Sequence, residues 1–476
     1  MAPLTASPSL VRILPCSGAA SESPDQRIES RSPRSKARPV PSSTSDSGGQ
    51  TAPSRPGLGP ILLTLFIDLV GFSIIFPLFP AILDSYRGDP WLEGWLDALR
   101  SLSPQIDEPR LVVLFGGVLG SIYSFLQFLL SPFWGSLSDR IGRRPVLLIT
   151  IWGNLMAALL WAFSGNFALL VLSRVLAGIA GGNISAATAA VADLTPGPER
   201  ARGMGLIGAS FGLGFILGPA IGGALSLIDM TPLWPAEEGG ALLATNSFTA
   251  AALGVCLLSA INWLWVWLRL KETRPAGFPP RPLRWQISLG GHWGHQVRRV
   301  QLANLIYLIG FSGMEFTLAF LVQQRFSWQS TDIAVMFVSI GLVLALVQGG
   351  LSRHLARRWG PHATSLIGFV LVFVGLMGIA IATLEWQLWL SLLPLSVGAA
   401  MVMPMLSTIV SESVGPLQQG EVLGSFRSLG SLARAIGPFF AAILYWQVGP
   451  SAPYWVSAAI LIIPIWLISG GLVRKS

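Results

Sequence analysis

Charged residues are scarce in this sequence. They make up 11% of the chain, where a soluble domain carries roughly a quarter. That deficit excludes the ion-rich surface of an ordinary water-soluble protein. Cysteine is rarer still. Cys16 falls in a polar tail and Cys256 in an apolar run, which excludes a disulfide framework and a thiolate metal site. Cys256 reads as a small core residue. The sequence has no phosphate-binding glycine loop of the GxxxxGKS or GxxxxGKT type, so ATP-driven pumping is not expected. Nor is enzymatic activity, a metal or a cofactor.

What is abundant points to lipid. Hydrophobic residues form 52% of the 476, with 18 tryptophans and 52 glycines; these residue types are frequent in membrane helices or at their ends. The length suits about twelve helices of ~20–25 residues, each able to span a ~30 Å hydrocarbon layer. Candidate spans run over 58–83, 111–134, 146–163, 166–190, 204–228, 243–269, 299–325, 331–351, 363–384, 386–410, 420–446 and 452–473. Each is too long and too apolar for a strand, and in lipid a helix satisfies its own backbone.

The connections set an orientation. Odd-to-even loops hold mostly Asp and Glu. Even-to-odd loops hold Arg140, Arg143, Arg144, Arg200, Arg202, Arg274, Arg281, Arg284, Arg298, Arg299, Arg353, Arg357 and Arg358. That asymmetry predicts cytoplasmic basic loops and both termini in the cytoplasm. It also accounts for the net charge of +8, so no nucleic-acid partner is expected. The loop 84–110 carries WLEGWLDAL, which reads as a short helix at the outer surface. Residues 1–57 are rich in Ser, Pro and Arg and read as a disordered tail, with an organellar targeting segment as the alternative.

The chain repeats itself. Gly218-Pro219 in the fifth span matches Gly437-Pro438 in the eleventh, 219 residues later. GSLSDRIGRRP at 135–145 has a worn counterpart in GGLSRHLARRWGP at 349–361, and Asp68 is answered by Glu315. Internal repetition of this kind is typical of secondary transporters. The expected fold class is an all-α membrane protein with twelve transmembrane helices in two pseudo-symmetric six-helix halves. The expected division is a tail at 1–57, an N-terminal half at 58–270, a cytoplasmic linker at 271–298 and a C-terminal half at 299–476.

Ionisable residues inside the spans carry the functional argument, because a charge at the bilayer centre usually faces a cavity or a partner. Asp68, Arg174, Glu315, Arg427 and Arg434 stand out. Asp68, Glu315 and Arg434 fall near the middle of their spans, so counting predicts a shared depth. Arg427 and Arg434 lie on one helix face, two turns apart. In the seventh span Asn304, Tyr307, Phe311, Glu315 and Leu318 recur at three- and four-residue steps. A lipid-facing stripe would not combine an amide, a phenol and a carboxylate, so this face is expected to line a cavity. Tyr123 and Gln127, one turn apart in the second span, serve either substrate contact or interhelical hydrogen bonding.

Gly135 and Gly142 in the 135–145 loop allow a tight turn and close approach. Asp139 can pair with a basic residue from the other half, while Arg140, Arg143 and Arg144 anchor the loop to headgroups or to that pairing network. Gly214, Gly218, Gly222 and Gly223 permit close helix packing, and Pro219 can set a bend.

Several of these segments carry a resemblance. GSLSDRIGRRP resembles the signature between the second and third helices of the major facilitator superfamily. LSRVLAG at 172–178 is similar to its fourth-helix signature, and GLGFILGPAIGG at 212–223 to the fifth-helix signature of its proton antiporters. FIDLVGFSIIFPLFP at 66–80 resembles the first helix of tetracycline-resistance and related drug:proton antiporters. SGMEFTLAFLVQQRFSW at 312–328 and GSFRSLGSLARAIGPFFAAILYW at 424–446 resemble the eukaryotic tetracycline-transporter-like branch. The resemblance covers about residues 58–473.

It implies a cavity lined by spans 1, 2, 4, 5, 7, 8, 10 and 11, a gating latch at 135–145, and a part for Arg174 in proton transfer or helix organisation. The expected function is export of an amphipathic organic anion or drug-like compound by alternating access, in exchange for protons, with Asp68 and Glu315 as coupling candidates. The expected partners are a small-molecule substrate, protons and the bilayer, and a monomer is expected. An uncoupled uniporter, or a non-transporting receptor or scaffold on the same fold, is the alternative.

Overall fold

The computed structural model describes residues 57–75, 78–102, 108–195, 199–234, 242–274, 293–415 and 419–470. The tail at 1–56 and most of the linker, 275–292, lie outside the described residues. The described chain is helical, with one isolated β-bridge, Ser164 to Leu243, and no sheet. In chain order the helices are α1 (Gly59–Ser73), α2 (Phe79–Ser85), α3 (Pro90–Leu102), α4 (Glu108–Ile141), α5 (Arg143–Ala162), α6 (Phe167–Ala180), α7 (Ile184–Leu194), α8 (Glu199–Leu225), α9 (Thr249–Arg269), α10 (His295–Phe326), α11 (Ser330–Leu346), α12 (Ser352–Ile381), α13 (Glu385–Glu412), α14 (Gln419–Gln447) and α15 (Ala452–Ser469). Among the described residues ten helical stretches are long and apolar enough to cross a membrane, counting α6 with α7 and α11 with α12; α1 is a shorter apolar helix. Large apolar side chains such as Leu257, Leu268, Leu346 and Trp466 face outwards. In water so many would drive aggregation.

Three spans are interrupted where the sequence suggested continuity. The first stops at Ser73 and resumes as α2 at Phe79. The fourth breaks at a 3₁₀ turn, Gly181–Asn183. The eighth passes through a π turn, Val347–Leu351, into α12, and the real corner comes at Gly360, whose φ of 80° and ψ of 164° are non-helical. Glycine adopts that φ without strain, and Pro361 then restarts the helix as a first-turn residue.

Polar side chains fix several ends. Asp89 Oδ1 accepts the N–H groups of Trp91 (2.8 Å) and Leu92 (3.3 Å) at the start of α3, and its Oδ2 accepts that of Phe167 at 2.9 Å. One carboxylate thereby pins α3 to α6. The WLEGWLDAL segment does form a helix, with Leu92 and Leu96 buried and Trp91 and Trp95 exposed.

The glycines of α8 lie where other backbones approach closely. A Cβ at Gly214 would stand 2.8 Å from the Phe66 carbonyl, and one at Gly218 would strike Ser73 Oγ. Backbones this close let Ser73 Oγ donate to the carbonyl of Leu69 or Gly214, at 2.8 and 3.1 Å. Gly222 meets the Ile74 carbonyl. The same device recurs between α14 and α10. Gly437 packs on Ser312, whose Oγ lies 2.7 Å from the Leu308 carbonyl and 3.4 Å from that of Ala433. Two further contacts tie α8 to α11 and α4 to α14. Gly223 abuts Ala334, and Gly117 abuts Ala442 and the Pro438 carbonyl.

Candidate functional site

A large cavity of about 1570 Å³ is lined by residues of α4, α5, α7, α8 and α10 to α14. At one end it reaches Gly135, Arg143 and Asp193 on one side and Arg353 and Glu412 on the other. Towards the other end it runs as far as Glu315 and Leu318. Beyond them the bundle is closed by Phe79, Leu83, Phe316 and Phe320, which crowd Gly116, Gly117 and Gly120 of α4.

The stripe on α10 forms part of this wall. Asn304, Tyr307, Phe311, Glu315 and Leu318 all line the cavity. Tyr307 stacks at a tilt on Phe311, ring centroids 5.5 Å apart, and meets Phe369 edge-on at 5.6 Å. Asn304 Nδ2 donates to the Phe426 carbonyl at 3.4 Å, tying the stripe to α14.

Arg427 and Arg434 enter the same cavity from α14. Arg427 sits over the Phe211 ring of α8 at 6.0 Å, a cation–π distance. Arg434 Nη2 donates to Ser431 Oγ at 3.1 Å and feels the charge of Glu315 without coming within ion-pair distance of it. Away from the end lined by Arg143, Asp193, Arg353 and Glu412, the cavity wall combines the guanidinium groups of Arg427 and Arg434, the carboxyl of Glu315 and several aromatic faces. Chemically it can hold an anionic group while an apolar body rests on the rings.

Asp68 is elsewhere. Counting along a helix does not say which way a side chain points, and the structure separates Asp68 from the large cavity, to which α1 contributes no lining residue. It lines a small pocket of about 30 Å³ together with Tyr123, Asn154, Trp161, Arg174 and Ser259. Asn154 Nδ2 donates to Asp68 Oδ1 at 2.8 Å. Arg174 lies 4.7 Å over the Trp161 ring and donates through Nε to Ser173 Oγ at 3.3 Å. Asp68 and Arg174 thus share a pocket without forming an ion pair.

Tyr123 and Gln127 also lie off the large cavity. Gln127 Nε2 is 3.3 Å from Tyr123 Oη and 3.1 Å from the Gly181 carbonyl. That carbonyl is one of several freed by the helix break at 181–183. Trp134 Nε1 takes the Ile179 carbonyl at 2.6 Å, and Ser185 Oγ lies 3.2 Å from that of Gly182. Gln127 and Trp134 of α4, with Ser185 of α7, thus satisfy a broken helix, and no sequence pattern marks Trp134 for that part.

The 135–145 loop is knotted to its own surroundings. Asp139 pairs with Arg143 at 2.6 Å, four residues on, and not with a basic residue across the cavity. Arg143 Nε also reaches Asp193 Oδ2 at 3.1 Å, and its Nη1 donates to Ser138 Oγ at 2.6 Å. Arg144 Nη2 donates to the Trp267 carbonyl at 2.8 Å, and the Arg140 carbonyl accepts from Arg274 at 2.8 Å. Sequence reasoning missed Glu272, whose carboxylate accepts the backbone N–H of Arg143 (2.8 Å) and of Arg144 (3.3 Å). These are unpaired donors at the start of α5, where a negative charge is favoured. Gly142, at φ 109°, leaves room for it; a Cβ there would collide with the carboxylate. Glu272→Ala is expected to cost about 1 kcal/mol, the usual worth of a helix cap. Thermal unfolding of the purified protein checks this, with Glu272→Asp as the reference.

Long apolar helices around a chamber with buried opposite charges define a membrane transporter. The chain belongs to the Major Facilitator Superfamily, which matches residues 61–438 and 355–474. It is a multi-pass integral membrane protein and a transporter, not an enzyme. It is 36% identical over 445 residues to the Bos taurus protein named Major facilitator superfamily domain-containing protein 10, covering 87% of this chain and 92% of that one. The Escherichia coli Tetracycline resistance protein, class E, is 30% identical over 418 residues, covering 86% and 91%. The solved structure described as the human organic anion transporter MFSD10 (TETRAN) superposes with a TM-score of 0.69 at 33% identity, covering 88% of this chain and all of that one.

Proposed function

We propose that this protein exports an amphipathic organic anion by alternating access, in exchange for protons. The single observation that carries the reading is the meeting of Arg427, Arg434 and Glu315 with aromatic faces in one large cavity. Arg427 and Arg434 place two guanidinium groups beside the Glu315 carboxyl on this wall, and a guanidinium fork matches the geometry of anionic groups. The relative described as an organic anion transporter supports the same substrate class.

The twelve spans form two six-helix halves. The first passage is α1 with α2, the fourth is α6 with α7, and the stretch Ser330–Ile381 provides the eighth and ninth, turning at Gly360. The repeated α1–α8 and α10–α14 packing supports this division. The basic loops and both termini lie in the cytoplasm, so the cavity opens to that side. Once it closes, Asp139 is free to exchange Arg143 for a basic group of the other half. Asp68 carries the exchanged proton in its side pocket, and Glu315 responds to the substrate beside Arg434.

The test uses inside-out vesicles containing the purified protein and radiolabelled 2-naphthalenesulfonate, an anion that stays ionised at any working pH. An acid lumen should drive its accumulation. Uptake that only equilibrates would replace antiport by a uniporter, and no uptake would overturn the anion reading. Asp68→Asn should lower the accumulation ratio to ~1 while leaving exchange of labelled for unlabelled anion intact, since coupling and carriage are separable free energies.

A further inference from the structure

Two helices line the cavity with stripes of opposite character. On α14, Arg427, Ser428, Ser431 and Arg434 all line it. Their three- and four-residue steps put them on one side of the helix, over a rise of ~10 Å. Ser431 Oγ accepts from Arg434 Nη2 at 3.1 Å, and a hydroxyl that accepts can still donate. On α11 the large side chains in the lining are Phe337, Ile340 and Leu344, again at three- and four-residue steps. The first stripe is guanidinium and hydroxyl; the second is ring and hydrocarbon.

Contacts of α8 bring the stripes to one level. α14 packs on α4 and α11 packs on α8, so the stripes belong to different flanks. Across the cavity, Arg427 lies over the Phe211 ring of α8 at 6.0 Å. The next residue of α8, Gly212, meets Gln348, one turn on from Leu344; a Cβ at Gly212 would stand 2.9 Å from Gln348 Oε1. Leu344 and Ile340 therefore overlap in depth with Ser431 and Arg434. α13 packs against both α11 and α14 and lends residues of both kinds, Met403 and Ser407 among them.

We propose that the cavity prefers rigid, elongated anions with hydroxyl groups along one edge and bare hydrocarbon along the other, the shape of a steroid acid hydroxylated on one face. Its acid meets Arg427, its hydroxyls meet Ser428 and Ser431, and its bare face rests on Ile340 and Leu344. A fused-ring body loses less freedom on lying along the stripe than a flexible chain does. A hydroxyl turned towards the α11 side chains meets no polar partner on them, and burying it unpaired is costly. This preference adds to the need for a charge and an apolar face, which every such cargo shares.

The inference rests on the organic-anion reading of the same cavity. Its test measures inhibition of 2-naphthalenesulfonate uptake into the inside-out vesicles by two epimeric steroid acids, each below its micellar concentration. In chenodeoxycholate both hydroxyls share one face; in ursodeoxycholate one of them is turned to the other face. The epimers have the same atoms and the same charge, so their ratio reads hydroxyl placement. Chenodeoxycholate should inhibit at about tenfold lower concentration, since its epimer loses one hydrogen bond and buries one hydroxyl unpaired.

In the double variant Ser428→Ala with Ser431→Ala, that ratio should shrink several-fold, whatever rate of uptake the variant keeps. Ser428→Ala alone takes its place should the double variant fail to fold. A ratio that the serine variants leave unchanged assigns the discrimination to partition into the bilayer and overturns the part given to α14. A ratio near one in the unaltered chain, with 2-naphthalenesulfonate still carried, overturns the hydroxyl preference and leaves the anion reading standing. No uptake of 2-naphthalenesulfonate removes the anion reading and this inference with it.

Discussion

Arg427→Ala should slow uptake of 2-naphthalenesulfonate by about 10- to 150-fold, because a hydrogen bond to a charged group is worth about 1.5–3 kcal/mol. The loss should appear mainly as a raised KM, since the guanidinium is part of the cavity wall before the substrate arrives and binds the anion at each stage alike. Arg427→Lys should recover part of it, keeping the charge but not the flat fork. Arg434 is expected to behave differently. Its charge is opposed by Glu315, so Arg434→Ala leaves a carboxyl facing the anion, and adding Glu315→Gln should restore part of the rate. Initial rates against substrate concentration for the four variants form a double-mutant cycle. A role for Arg427 in folding alone would lower the melting temperature and leave KM unchanged.

The second large effect is expected at Gly223. A Cβ at this position would overlap that of Ala334, with the Ala334 Cα at 3.2 Å. Gly223→Val must therefore push α8 and α11 apart, at a cost typical of overpacking, about 1–3 kcal/mol. That cost falls only on the conformation closed at this end, so the balance should move about 5- to 150-fold towards the opposite one. Spin labels at Leu227 and Asp332, read by pulsed electron resonance, should show a longer separation. The exchange Gly223→Ala with Ala334→Gly restores the room and should restore the original distance. An unchanged distribution in Gly223→Val would mean that α8 and α11 do not set the closure.

The α10 stripe was readable because a helix repeats every 3.6 residues. Asn304, Tyr307, Phe311 and Glu315 had to share a face, and their mixed chemistry was wrong for lipid. The α8 glycines were readable for the same reason. Asp68 was expected on the large cavity, and it lines a separate small pocket instead. Its neighbours Asn154 and Asn183 come from α5 and from the 3₁₀ turn after α6, and no local periodicity in α1 records which way they lie. Glu272 was hidden because its partners are backbone N–H groups at 143 and 144, far along the chain. Asp139 illustrates a different limit. A loop of alternating sign can satisfy itself, and Arg143 is close enough to do so.

The breadth of the chamber bears on selectivity. A void of about 1570 Å³ is larger than the ~300–1,000 Å³ of a typical small-molecule pocket. Arg427, Arg434 and Glu315 are set among rings and aliphatic side chains such as Phe211, Tyr307, Phe311, Leu344 and Met405. On the proposed function, such a vestibule is expected to sort cargo by sign and greasiness before outline. Compounds of unrelated skeleton that share one acidic head and one flat body should therefore displace each other, and a large cargo should bar two small ones.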